Sequence, residues 1–171
     1  KMKQLNIYLN DNDLVILDKL TNYPLKSIQN SMIISKEQFL DEIKKINKKY
    51  KIFSNYIPYK LNIYLNKKVL EEDILYYTSI FEEFLFTKIN VISILDVLES
   101  KNYLISNQNS NYLIYNNKIY SIDFTLSKIL IDSLDLQVII MGNNLSISLS
   151  NSYIVVNYYS YLKDIILSIK A

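Results

Sequence analysis

The chain has 171 residues, 50% of them hydrophobic and 21% charged, with a formal net charge of +2; it has the composition of a folded domain rather than a disordered or strongly basic chain. It contains no His, no Cys, no Arg and one Gly, which excludes imidazole and thiolate nucleophiles, zinc sites built from those ligands, disulfides, guanidinium clamps and glycine-rich phosphate loops. The 16 Tyr, with abundant Ile, Asn and Lys, are what AT-rich codons specify, so coding bias accounts for part of this set without restoring the missing chemistry.

Leu5, Ile7 and Leu9 alternate with polar residues and predict a strand, and residues 10–13 form a turn-prone Asn/Asp cluster before the apolar run Leu14 to Leu17. That is a hairpin. Pro24 punctuates the chain, and a third strand is expected around residues 28–34. Ser35 followed by Gln38 is a capping box, and Phe39, Leu40, Ile43 and Ile46 line one face of a helix expected over 36–49. A strand follows at 61–65. A second helix opens on the acidic turn Glu71, Glu72 and Asp73, with Leu70, Ile74, Tyr77, Phe81, Phe84 and Leu85 as its apolar face. Residues 89–92 then read as a strand and 94–99 as a short helix.

The second half begins as the first does. A strand at 103–105, a polar turn at 106–110, strands at 112–115 and 119–124, a helix at 126–134, strands at 138–141 and 153–156, and a terminal helix at 159–170 are expected. Strand, Asn-rich turn and strand thus occur twice, a weak internal duplication with one lobe over 1–101 and a reduced one over 102–171. The fold class is α/β with mixed sheets and βββαβα order in the first half.

Two lobes that each open with a hairpin around a polar turn resemble the actin, Hsp70 and sugar-kinase superfamily, nearest to bacterial actin-like proteins of the MreB and FtsA type. The stretch from Lys60 to Leu65, the helix 71–84 and the strand Lys88 to Ile92 look like the family's strand, helix and strand before its interlobe helix. Val138 to Leu145 resembles its apolar strand entering an adenosine loop. The resemblance implies trimmed, ribonuclease H-like lobes. It also marks where this chain departs from the pattern: the first phosphate turn holds Asp11 and Asp13, the second holds Asn107 and Asn109, and the adenosine loop keeps only Gly142 before Asn143. Cβ atoms and carboxylates there oppose close approach by a triphosphate.

The expectation is therefore a non-catalytic, actin-like scaffold or adaptor with a protein partner and no cofactor, in the cytoplasm or peripheral to a membrane assembly of cytoskeletal, division, pilus or secretion type. The alternatives are a divergent ATPase or phosphotransferase using Asp11 and Asp123, and a small α/β interaction module unrelated to actin. No catalytic or metal site is read from the residues; Asp11 and Asp13 as Mg²⁺ ligands compete with their ordinary role in turns. Tyr158, Tyr159 and Tyr161 form a candidate interface, because tyrosine joins apolar area to a hydratable hydroxyl. Self-association stays open. Lys44, Lys45, Lys48, Lys49 and Lys51 read as a solvated helix end, nucleic-acid binding is not expected, and no apolar run is long enough to span a membrane as a helix.

Overall fold

A computed structural model describes residues 3–10, 12–53, 59–97, 103–106, 111–116, 118–122, 137–140 and 155–157. The chain divides into two compact units, Lys1–Ile94 and Leu95–Ala171. In the first, strands β1 (Lys3–Asn10), β2 (Asp13–Ile16) and β3 (Thr21–Pro24) form an antiparallel meander. A small hairpin, β4 (Ile28–Gln29) with β5 (Met32–Ile33), precedes helix α1 (Lys36–Tyr50). Strand β6 (Tyr59–Leu65), helix α2 (Glu71–Phe81) and strand β7 (Phe86–Ser93) complete the unit, and a 3-10 turn (Ile94–Asp96) follows where it ends. The sheet order is β3-β2-β1-β6-β7, with β1, β6 and β7 parallel to one another. The architecture is a mixed five-stranded sheet with two helices, an α/β unit.

The third strand differs from the sequence expectation. It is Thr21–Pro24, and residues 28–34 instead make the separate β4–β5 hairpin. Thr-Asn-Tyr-Pro has no alternation to announce a strand; pairing with β2 creates it, and Pro24 is tolerated because β3 is an outer strand and the proline its last residue.

Helix α1 starts where the capping box predicts, with the Ser35 Oγ accepting from the Gln38 N–H at 3.3 Å. It ends on Lys51 in the left-handed region, φ 51°, whose N–H donates to the Asn47 carbonyl. With so little glycine in the chain, left-handed positions fall to other residues: Asn30 and Ser31, both with positive φ, form the tight β4–β5 turn.

Ile7, Leu9, Leu14, Ile16, Leu61, Ile63 and Leu65 of the sheet pack with Phe39, Leu40 and Ile43 of α1 and Tyr77, Ile80 and Phe81 of α2, so both helices share one core with one face of the sheet. Phe53 lies 4.8 Å from Phe84 and 5.5 Å from Phe86, and Phe39 lies 5.5 Å from Phe81, mostly with tilted or edge-on rings. The buried face of α2 is Asp73, Tyr77, Ile80 and Phe81, while the expected core residues Leu70, Ile74 and Leu85 are exposed. Asp73 is held by its neighbours. Its carboxylate accepts from the Leu70 N–H at 2.9 Å and pairs with Lys67 at 3.0 Å, closing a helix start whose N-cap residue, Leu70, has no polar side chain to offer.

The second unit repeats the plan. Strands β8 (Tyr103–Ser106), β9 (Asn111–Tyr115) and β10 (Lys118–Ile122) form an antiparallel meander, and β11 (Gln137–Ile140) and β12 (Val155–Asn157) extend it in parallel from β8, in the order β10-β9-β8-β11-β12. The helices expected at 126–134 and 159–170 lie outside the described residues.

Candidate functional site

The first hairpin turn is the place to test the degenerate phosphate loop. Asn10 pairs with Asp13 across the hairpin, leaving two residues between the strands. The Asp13 carboxylate accepts from the Asn22 Nδ2 at 3.0 Å, so this acid is bonded to the neighbouring strand. Asp11, Asn107, Asn109, Gly142, Asn143, Asp123 and the tyrosines Tyr158, Tyr159 and Tyr161 lie outside the described residues. Among the described residues, no group of three His, Cys, Asp or Glu could hold a metal ion, and no helix is long and apolar enough to cross a membrane.

Beside that turn, Asn12, Pro24, Leu25, Lys26, Ile28 and Gln38 line an open groove of about 630 Å³. It continues along α1 past Asp41, Glu42 and Lys45. The Glu42 carboxylate shapes its floor, its two oxygens accepting from the main-chain N–H groups of Lys26 at 2.8 Å and Ser27 at 2.9 Å. A carboxylate thus satisfies two loop amides that would otherwise be free to meet an anion. The lining mixes both charge signs with aliphatic surface. That chemistry does not favour a polyphosphate.

A row of bonded amides lies on the opposite side of the sheet from the helices. The hexapeptide Leu-Asn-Ile-Tyr-Leu-Asn occurs twice, as residues 5–10 and 61–66, and the two copies pair in parallel, in register, Leu5 to Leu61 through Tyr8 to Tyr64. Asn62 is therefore beside Asn6, and the register of β7 brings Asn90 beside Asn62. The amides form a ladder: Asn90 Nδ2 donates to Asn62 Oδ1 at 2.8 Å, and Asn62 Nδ2 donates to Asn6 Oδ1 at 2.9 Å. Asn6 in turn donates to Asp18, from Nδ2 at 3.1 Å and from its main-chain N–H at 2.8 Å.

A carboxylate only accepts, so Asp18 fixes which end of each amide faces which neighbour, and the whole ladder has one polarity. Asn6 and Asn62 are buried, as are Tyr8 and Tyr64 one step along the strands. Burial, with the nearby Asp18 charge adding to it, pushes the Tyr64 phenol up to about 12. At the carboxyl end of β6, Asn66 is buried with neither Oδ1 nor Nδ2 bonded to another group of the chain.

Sequence reasoning missed this ladder. Its signal was present in the repeated hexapeptide and in the aliphatic-Asn-aliphatic triplets 5–7, 61–63 and 89–91, each with Asn at the polar position of an alternating strand. Elsewhere, the lysines near the end of α1 are exposed; Lys44 pairs with Glu83 at 3.4 Å and Lys49 sits 5.1 Å from the Tyr50 ring. That is the solvated helix end expected.

No protein-family model, curated protein or solved structure matches this chain.

Proposed function

We propose that the protein is a non-catalytic, actin-like scaffold or adaptor that binds another protein within a cytoplasmic or membrane-associated assembly. The observation that carries the reading is the repetition of one sheet plan in both units, an antiparallel meander whose first strand is extended by two parallel strands. Such a duplication is what the resemblance to a two-lobed superfamily requires. The pseudo-enzyme part of the reading rests on the first hairpin. Asp13 is spent on Asn22, Glu42 occupies two amides beside the groove, and the turn has no glycine to let a phosphate approach the backbone.

Equilibrium titration of the whole chain with ATP and GTP, with and without Mg²⁺, tests it. The expected result is no saturable binding at concentrations up to about 1 mM, where a specific site of even about −4 kcal/mol would register. Saturable micromolar binding that needs Mg²⁺ would overturn the pseudo-enzyme reading and favour a divergent ATPase.

A further inference from the structure

Two elements of the first unit end side by side. The Glu42 carboxylate meets the Lys26 and Ser27 amides just past β3, and further along α1 the Tyr50 ring lies 5.5 Å from the Tyr23 ring within β3. Helix α1 therefore runs antiparallel to β3, and its last turn points toward the end of the sheet where the chain reverses between β2 and β3. Leu20, in that reversal, precedes Tyr23 by three residues, about 10 Å of extended chain.

Leu20 has a positive φ, 52°, and is 40% exposed. A left-handed backbone is costly for a bulky side chain, and an exposed leucine gains nothing from burial to offset it. Asparagine is the ordinary residue for such a position, and the chain does place Asn30 and Asn116 at positive φ. Folding of the unit does not explain this leucine.

The surface around it is basic. Lys19 is its neighbour in the turn, and Lys48, Lys49 and Lys51 close α1; all four are exposed, and Tyr50 among them is 50% exposed. Asp18, the acid of the turn, is drawn back onto Asn6 through both carboxylate oxygens, and Glu83 is matched by Lys44.

From this arrangement we infer that the last turn of α1 and the β2–β3 turn form a docking surface for an anionic lipid bilayer. Leu20 and Tyr50 enter the boundary between headgroups and acyl chains, while the ammonium groups of Lys19, Lys48, Lys49 and Lys51 meet lipid phosphates. Lysine suits the place, since its aliphatic stem lies along apolar surface while its charge stays in water. The charge selects an anionic partner, and the two apolar side chains select a bilayer over a soluble polyanion. A nucleic acid or an acidic peptide held by the lysines would leave Leu20 in water. One leucine, one tyrosine and four lysines make a reversible attachment. The surface goes beyond the scaffold reading and does not depend on it: vesicle and nucleotide binding are measured separately, and either can fail alone.

Flotation of the full chain with vesicles of phosphatidylcholine, with and without phosphatidylserine, tests the inference, and circular dichroism checks folding. Binding is expected to the phosphatidylserine vesicles alone, falling as salt rises. Lys48→Gln together with Lys49→Gln is expected to weaken it about twentyfold, at about fivefold for each lysine near the surface. Leu20→Asn, which suits the left-handed backbone and so keeps the fold, is expected to weaken it about fivefold. Absence of binding to phosphatidylserine vesicles, equal binding to neutral ones, or unchanged binding in either variant would each overturn the inference. So would binding to a short DNA duplex, at the same salt, as tight as that to the vesicles.

Discussion

The Asp18 carboxylate holds Asn6 twice, by its main-chain N–H at 2.8 Å and by its side-chain Nδ2 at 3.1 Å. This double grip turns a row of amides into a directed network, because each amide downstream must present its nitrogen toward Asp18 and its oxygen away from it.

Removing the middle rung tests the ladder. Asn62→Ala leaves the buried Asn6 Oδ1 and the Asn90 Nδ2 without their partner, and is expected to cost about 2–3 kcal/mol in urea unfolding. Asp18→Ala alone is expected to cost about 1–2 kcal/mol. The double variant is expected to cost less than the sum by about 0.5 kcal/mol or more, since both changes strike one network. Strict additivity would show that the rungs act independently.

Phe81 is expected to be the most sensitive core position. It is fully buried, 5.5 Å from Phe39, 6.2 Å from Phe53, 6.1 Å from Phe84 and 6.3 Å from Phe86, so the cavity left by Phe81→Ala is walled by four rings and cannot easily collapse. A loss of about 3–5 kcal/mol is expected, read by thermal or denaturant unfolding. A loss below about 1 kcal/mol would mean the aromatic cluster is not the keystone of the core.

Glu42 ties α1 to the loop between β3 and β4 through two main-chain amides. Glu42→Ala is expected to cost about 1–2 kcal/mol and to raise hydrogen exchange at the amides of Lys26 and Ser27, whereas Glu42→Gln keeps one acceptor and loses less. Unchanged exchange at both amides in Glu42→Ala would contradict the clamp.

Alkaline stability follows from two phenols. Burial holds Tyr64 and Tyr77 up to about 12, while the unfolded chain titrates near the ordinary value of 10. The fold prefers the neutral phenol, so this contribution is complete below about pH 10 and is lost as pH rises through about 12. Phenolate absorbance is expected to show Tyr64 and Tyr77 titrating late, with stability falling across that window. Simultaneous titration of all 16 tyrosines near pH 10 in the folded protein would contradict it.

The errors in reading the chain have a common cause. The β1–β2 hairpin and α1 were legible because their signals are local: alternation in Leu5, Ile7 and Leu9, and a cap at Ser35. Strand β3 was not, since Thr21–Pro24 becomes a strand only by pairing with β2. The spacing of Leu70, Ile74, Tyr77 and Phe81 marks one face of α2, and Tyr77 and Phe81 are buried as it implies, but Tyr76 and Tyr77 turn toward the β4–β5 hairpin. Tyr76 donates to the Ile33 carbonyl at 2.8 Å, and the Ile33 N–H donates to the Tyr77 hydroxyl at 3.4 Å. That contact rotates the buried stripe away from Leu70 and Ile74.

By itself, the sequence determined the α/β class, the doubled hairpin opening and the absence of imidazole, thiol and guanidinium chemistry, because periodicity and composition are properties of the chain alone. Only the tertiary structure decided that Asn6, Asn62 and Asn90 form one ladder ending on Asp18, and that Asp13 is bonded to Asn22. Residues 56 and 28 apart along the ladder meet through parallel pairing, and the register of parallel strands is set by packing across the whole sheet, which no local stretch of sequence encodes.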